Sequence, residues 1–355
     1  TIMVVDDSPF MQRLMAEMLA SFGVGKVMTA AGADEAFQRM ETRAPDVIFC
    51  DWQMYPVDGL AMLRRLPSAP PSEARQFDAP GLIMVSVGIL AVLLAVMLPP
   101  DSAELSWLIG IAAIAMCALG LFARHLRRHP HGSVIDIAFF VDPALRAQAI
   151  IVLASALVMY TSVTLVPQFL QEIHGDGVVQ SGLVVMFAAI GWVVGASVGG
   201  QLLGKHGFQV LNTIGVAALG GGAALLAAFS KDSAIAIGYV SQVLIGLGIG
   251  QVSIASLLLA QQSLPAARIG VATANVQLLR NIGAVFGVNV FVALAMHGLS
   301  RRADELGGVA RQAAELASLE AGYHRSFLGL VVVVVAAAPW LLAIPKARAA
   351  KEQVS

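Results

Sequence analysis

Two adjacent aspartates, Asp6 and Asp7, follow the apolar run 1–5 (TIMVV), and a third, Asp51, closes a second apolar run at 47–50. Short continuous apolar runs of this kind are the pattern of strands buried on both faces of a parallel sheet. Ligands of such sheets gather at the carboxyl ends of the strands, so the three carboxylates are expected to converge there. Three like charges on one edge need a cation among them. A hard ion such as Mg²⁺ takes oxygen ligands and can hold a phosphoryl group, while one carboxylate acts as nucleophile and forms an aspartyl phosphate. The plain alternative is a set of solvated acidic loops.

A second set of polar side chains stands in the hydrophobic remainder. Arg280 lies inside the apolar run 271–297, and Thr273, Gln277 and Asn281 share its side of a helix by three-and-four spacing. An ionisable group at membrane depth is costly and marks a functional candidate. Arg280 suits either contact with a substrate or a lock against a neighbouring helix. Gln168 and Gln171 follow Pro167 near the end of another run, and Gln242 and Gln251 punctuate a third. Hydrogen bonds between helices explain such residues more often than ligand binding does. No Asp or Glu is expected inside the runs, and Arg cannot be the titrating group of a proton cycle because it stays protonated.

The elements that must position these groups differ between the two parts. Ser8 and Pro9 suit an N-cap and a first helical residue, and Met11, Leu14, Met15, Met18, Leu19 and Phe22 then recur at three and four until Gly23. Residues 26–29 read as a second strand, 33–42 as a second helix and 47–50 as a third strand, which gives the order βαβαβ. Past Leu66 the chain turns rich in Pro and Ser, and past Gly81 it goes long stretches without charge. Only 13% of the 355 residues are charged and 57% are hydrophobic, against about 25% charged in soluble domains. The mean hydropathy is +0.77, that of a membrane protein. A bilayer core needs roughly 20 apolar residues per helix, and about eight runs meet that need. They fall near 81–98, 106–123, 147–169, 181–203, 210–229, 234–259, 271–297 and 327–344.

Basic residues orient these runs. Arg124, Arg127 and Arg128 follow the second run, Arg146 precedes the third, and Lys346, Arg348 and Lys351 mark the tail, so these segments are expected in the cytoplasm. Alternate crossings put Lys205, Arg268 and the polar front on the same side. The loop 299–325 dissents with Arg301, Arg302, Arg311 and Arg325, balanced by Asp304, Glu305, Glu315 and Glu320, and is expected to carry a short surface helix. A net charge of −1 offers no basic field for nucleic acid, which is not expected as a partner. Cys50 and Cys117 fit neither a disulfide framework nor a metal set and read as reduced, buried fillers. The chain opens on Thr1 inside a strand pattern, without Met, and is read as a fragment.

The front segment resembles the receiver domain of two-component response regulators. The resemblance rests on VVDDS, with Asp6 and Asp7, and on PDVIFCDWQMYPVDG, which puts Asp51 in the phosphoacceptor position. Gln53 stands where the family uses a backbone carbonyl on the metal, and Asp58 and Gly59 complete the loop. The resemblance implies an α/β flavodoxin-like fold, Mg²⁺ held by Asp6, Asp7, Asp51 and Gln53, and a histidine kinase as partner. Receivers continue with two more strands that bring a Ser or Thr and a Lys to the phosphoryl group. Neither has a counterpart before the linker, so a truncated receiver with impaired phosphotransfer is expected.

The remainder resembles the C-terminal portion of the fourteen-helix drug:proton antiporters of the major facilitator superfamily. FDAPG at Phe77 resembles the start of that family's seventh helix, and LVPQFLQEIHG from Leu165 the end of its ninth. GGQLLGKHG from Gly199 resembles a degenerate G-x-L-x-x-x-x-G loop with Gly204 in place of Asp, and LLRNIGAVFG from Leu278 the Arg-containing stretch of the thirteenth helix. The family packs two six-helix halves around a cavity, with two extra helices between them and its coupling carboxylates in the first half. The resemblance implies a mainly α-helical polytopic membrane protein with a truncated α/β receiver in front. Its parts are the receiver 1–66, a linker 67–80, two extra helices 81–123, a basic cytoplasmic loop 124–146, the C-terminal transporter half 147–345 and a cytoplasmic tail 346–355.

The expected function is a multidrug efflux permease of the bacterial cytoplasmic membrane, not an enzyme. Its partners are the lipid bilayer, a small amphipathic substrate and a missing N-terminal half, and without that half no proton-driven efflux is expected. The rival readings are a membrane-anchored phosphorelay regulator that uses Asp51, and an artificial junction near Leu66 between two interrupted proteins.

Overall fold

The computed structural model describes residues 1–21, 26–66, 78–97, 105–129, 135–264, 268–296 and 308–346. Phe22 and Gly23, the linker residues 67–77, Arg301, Arg302, Asp304 and Glu305, and Arg348 and Lys351 of the tail lie outside the described residues. The chain divides into two compact units, Thr1–Ala74 and Arg75–Ser355.

In the first unit β1 (Ile2–Val5), α1 (Pro9–Ser21), β2 (Val27–Ala30), α2 (Ala33–Thr42), β3 (Val47–Cys50) and α3 (Gly59–Arg65) follow in order. The strands form a parallel sheet in the order β2-β1-β3. Met3, Val4 and Val5 are at most 2% exposed, as a central strand buried on both faces requires. The expected burial of β3 does not hold. It is an edge among the described strands, and Val47 and Phe49 are 46% and 42% exposed. Cys50 and Cys117 are likewise exposed, not buried fillers. Along α1, Met15 and Leu19 are half-buried, while Met11, Leu14 and Met18 stay exposed. The core gathers Met3, Val5, Ala30, Ala33, Ala36, Met54 and Met62. α3 went unforeseen: Asp58 caps it, its carboxylate accepting the Ala61 N–H at 2.6 Å.

Among the described residues the second unit holds eight helices long and apolar enough to cross a membrane, as the hydropathy pattern predicts. α4 (Ala79–Met97) and α5 (Leu105–Arg128) form a hairpin whose ends meet where His125 Nε2 lies 2.8 Å from Asp78 Oδ1. α5 continues well past Ala123, so Arg124, Arg127 and Arg128 lie on its last turns and not in a loop. A four-residue α6 (Ala138–Val141) precedes α7 (Pro143–Phe169), which Asp142 caps through the N–H groups of Ala144 and Leu145. Pro167 removes one donor, and the helix then widens into a π-helical turn, Leu170–His174, which ends on Gly175 at φ 77°.

α8 (Val178–His206), α9 (Phe208–Ala227), α10 (Ile235–Ser263), α11 (Ile269–Met296) and α12 (Gly308–Ala337) complete the bundle, with a 3₁₀ turn at Ala338–Ala343. The separate surface helix expected in 299–325 is instead the first part of α12, continuous with the last apolar run. α8 and α10 meet backbone to backbone. A methyl group at Gly191 or Gly195 would collide with the main chain of Val243 or Leu247, and one at Gly246 or Gly250 with that of Ala188 or Trp192. Gly283 and Gly287 of α11 likewise press on Leu153 and Leu157 of α7.

Candidate functional site

Each unit carries its own polar site. In the first, register does the work. Val5 pairs with Ala30 on one side and Cys50 on the other, so Asp6 and Asp51 leave neighbouring strands at the same level. The Asp51 N–H donates to Val5 O at 2.8 Å and that of Asp6 to Ala30 O at 3.1 Å, which carries the ladder one residue beyond the strands. The carboxylate oxygens of Asp6, Asp7 and Asp51 lie within 4.8 Å of one another, Asp6 half-buried and the other two exposed.

Local N–H groups hold each acid. Ser8 N donates to Asp6 at 2.9 Å, Trp52 N to Asp51 at 2.7 Å and Tyr55 N to Asp7 at 3.4 Å. Oxygens on one Mg²⁺ stand up to about 4.2 Å apart, so small side-chain rotations let the three acids share an ion, and the oxygen-only donor set suits it. Gln53 is exposed on the loop after Asp51. Gly59 closes that loop against the Asp51 carbonyl, where a β-carbon would collide, and its N–H donates to Trp52 O at 3.1 Å. Partial desolvation, then the Asp51 and Asp6 charges, hold the Cys50 thiol above its ordinary pKa.

In the second unit α11 carries the polar stripe. Arg280 donates to Gln277 Oε1 at 3.3 Å, and Gln277 donates in turn to Asn281 at 3.3 Å. The guanidinium lies 5.8 Å from the ring centroid of Trp192 on α8. Sequence spacing does not single out Trp192, because the contact crosses between helices. Thr273 belongs elsewhere, accepting from Gln261 of α10 at 3.2 Å. Gln242 is fully buried and accepts from Ser162 of α7 at 3.3 Å, while its Nε2 finds no partner among the described residues. Gln251 packs beside Gly199 and Gly215, and the buried side-chain oxygens of Gln168 and Gln251 are also unpartnered among the described residues. Gln171 is exposed on the π-helical turn. The structure thus joins Gln277, Arg280 and Asn281, and disperses the remaining glutamines.

Other polar pairs escaped the sequence reading. Gln148 and Asn212 are buried and exchange two hydrogen bonds of 3.0 Å between α7 and α9. Asp136, 1% exposed, pairs with Arg268, and its N–H donates to Asn275 Oδ1 at 3.3 Å. The expected absence of carboxylates from the runs holds for their inner turns and fails at their ends. Glu172 falls within the crossing segment Pro143–His174, and Glu315 and Glu320 within Glu315–Ala343. The polar pair Gln171 and Glu172 hid the continuation of α7, yet the buried Tyr323 donates its hydroxyl to Glu172 at 2.7 Å.

Comparison with known proteins agrees with both halves of this picture. The family model of the response regulator receiver domain matches residues 2–81, and that of the Major Facilitator Superfamily matches 76–288. Among relatives, the multidrug transporter protein MdtP of Bacillus subtilis is 28% identical over 61% of this chain and 40% of its own length. The multidrug resistance protein Stp of Mycobacterium tuberculosis is 27% identical over 64% of this chain and 42% of its own. A protein-glutamate methylesterase/protein-glutamine glutaminase of Halalkalibacterium halodurans is 39% identical over 20% of each chain. The chain spans about two-fifths of the length of its transporter relatives. Eight helices of membrane-crossing length and a family match over more than half of the residues lead to one assignment: the chain belongs to the Major Facilitator Superfamily, and a response regulator receiver sequence precedes its helices.

Proposed function

We propose that the helices from Ala79 onward act as the second half of a multidrug efflux permease, exporting small amphipathic compounds by alternating access. α7 to α12 supply the half itself, and α4 and α5 the additional pair. The observation that carries the reading is Arg280, a cation on a membrane-length helix, held on the Trp192 face beside the exposed Gln277 and Asn281. That arrangement offers a ring, a charge and amide groups to an amphipathic guest. The basic ends Arg124, Arg127, Arg128, Arg146, Lys205 and Lys346 support a bacterial inner-membrane location with the front unit and the tail on the cytoplasmic side. A companion set of N-terminal helices completes the pathway and supplies the coupling carboxylates.

The test is co-expression with the N-terminal helices of the Bacillus relative in a drug-sensitive bacterium, with a fluorescent amphipathic dye as cargo. Dye efflux is expected with both parts, and Arg280→Ala is expected to cut it at least tenfold with the protein still in the membrane. Efflux unchanged by Arg280→Ala would remove Arg280 from the pathway, and no efflux from the pair would end the transport reading.

The acidic edge favours a second activity in the front unit, acceptance of a phosphoryl group by Asp51. Mg²⁺ held by Asp6, Asp7, Asp51 and the Gln53 carbonyl would neutralise the phosphoryl oxygens. The Asp51 oxygen forms the new bond to phosphorus as the donor's imidazole, on a histidine kinase, departs with its electron pair. Incubation with acetyl phosphate and Mg²⁺, followed by mass analysis, is expected to add one alkali-labile, hydroxylamine-sensitive phosphoryl group that Asp51→Asn abolishes. An unmodified wild-type chain would rule the activity out.

A further inference from the structure

Beyond transport, we propose that the cleft between α7, α11 and α12 is a binding site for an anionic phospholipid. The cleft is an open groove of about 440 Å³, lined by apolar side chains, among them Ile150, Leu153, Leu157, Phe286 and Val333, with Trp340 at one end. That is the size of a small-molecule site, with no polar side chain along its length to recognise a polar guest. Its floor is the close approach of Gly283 to the Leu153 backbone.

The polar end is what selects the occupant. Arg146 sits one turn before Ile150 on the cleft-facing side of α7, since residues 146, 150, 153 and 157 repeat at four, three and four. Its guanidinium lies 5.9 Å from the ring centroid of Trp340 and donates to Phe140 O at 3.4 Å, yet it makes no ion pair among the described residues. A cation with no ion pair among the described residues, lying over an aromatic ring, suits a phosphate oxygen, which Arg binds well.

Depth fits as well. Trp340 is half-buried on the 3₁₀ turn, and that turn is anchored to α9 by Gln209 donating to Leu341 O at 3.0 Å. Phe140 and Val141 of α6 are 46% and 68% exposed beside Arg146. Trp, exposed apolar residues and Arg at one helix end mark headgroup level. An apolar slot that opens at that level beside the Arg146 guanidinium matches an acyl chain and its phosphate, and basic pockets between membrane helices recognise anionic lipids in this way.

The test is native mass spectrometry of the full chain purified in mild detergent and offered equal amounts of phosphatidylglycerol and phosphatidylcholine. Wild type is expected to retain phosphatidylglycerol about fivefold over phosphatidylcholine. Arg146→Gln should remove the preference, Arg146→Lys should keep most of it, and Ala154→Phe, which fills the slot, should lower retention of both lipids. Glycerol phosphate added in excess should not displace the lipid. Equal retention of the two lipids by wild type overturns the proposal whatever the variants do. A preference that survives Arg146→Gln places the anionic lipid elsewhere, and displacement by glycerol phosphate reduces the site to a simple anion contact.

Discussion

The sheet edge of the first unit and the helix bundle of the second both handle charge, by opposite means. At the edge, three like charges converge at the surface because strand register brings them to one level. In the bundle the charged and amide groups are scattered along the chain, and buried ones pair with one another, Asp136 with Arg268 between the segments ahead of α6 and α11, Gln148 with Asn212 and Ser162 with Gln242 across helix interfaces. The edge leaves its charge to backbone N–H groups and solvent, and the bundle pairs much of its own internally. The first arrangement tolerates the loss of a member, since water solvates what remains. The second does not, since removal of one partner strands the other away from water.

Breaking the Asp136 pair should show the largest effect. Asp136→Ala is expected to cost about 2 to 4 kcal/mol, because the buried carboxylate loses both its pair with the partly exposed Arg268 and its bond from the Ala138 N–H, whereas Asp51→Asn should leave thermal stability unchanged or slightly raised. Thermal unfolding of the detergent-solubilised chain, followed by circular dichroism, compares the two. A smaller loss sharpens the contrast: Gln148→Leu alone should destabilise by about 1 to 3 kcal/mol, and adding Asn212→Leu should recover most of it, because a buried pair removed together leaves nothing unsatisfied. The same unfolding measurement reads this cycle, and additive losses would show that the pair is not coupled.

The smallest expected effect is a pH dependence in the first unit. The Ala31 N–H first, then Arg39, hold the Glu35 carboxyl below the ordinary glutamate value of 4.5. Its contribution is therefore complete above that value and fades as the pH falls through the lowered one. Protection of residues 31–42 from hydrogen exchange, taken relative to the intrinsic rate at each pH, should fall on acidification in the wild type, and that acidic step should vanish in Glu35→Gln.

What could be read from the amino-acid sequence follows the same division. The βαβαβ order and the convergence of Asp6, Asp7 and Asp51 were legible, because strand ends and sheet topology turn local pattern into proximity. α3 was not, since seven residues after a loop give too little periodicity, and its signal was the Asp58 cap. The eight membrane helices were legible from apolar length alone, but several of their ends were not. α5 runs on through Arg128 because arginine is a good helix former, so helix and hydrophobicity stop at different residues. The Gln277, Arg280 and Asn281 stripe was legible from spacing within one helix, whereas Trp192 beneath Arg280 depends on how two helices pack and leaves no local trace.

The glycine contacts give that last pair a mechanical meaning. With main chain against main chain there is no layer of side chains to deform, so α8 and α10 behave as one stiff beam, and α7 and α11 as another. Trp192 is fixed to the first beam and Arg280 to the second. The cation–ring contact, worth about 1 kcal/mol, is therefore one weak tie between two rigid bars, beside the buried Ser162–Gln242 bond that also joins them.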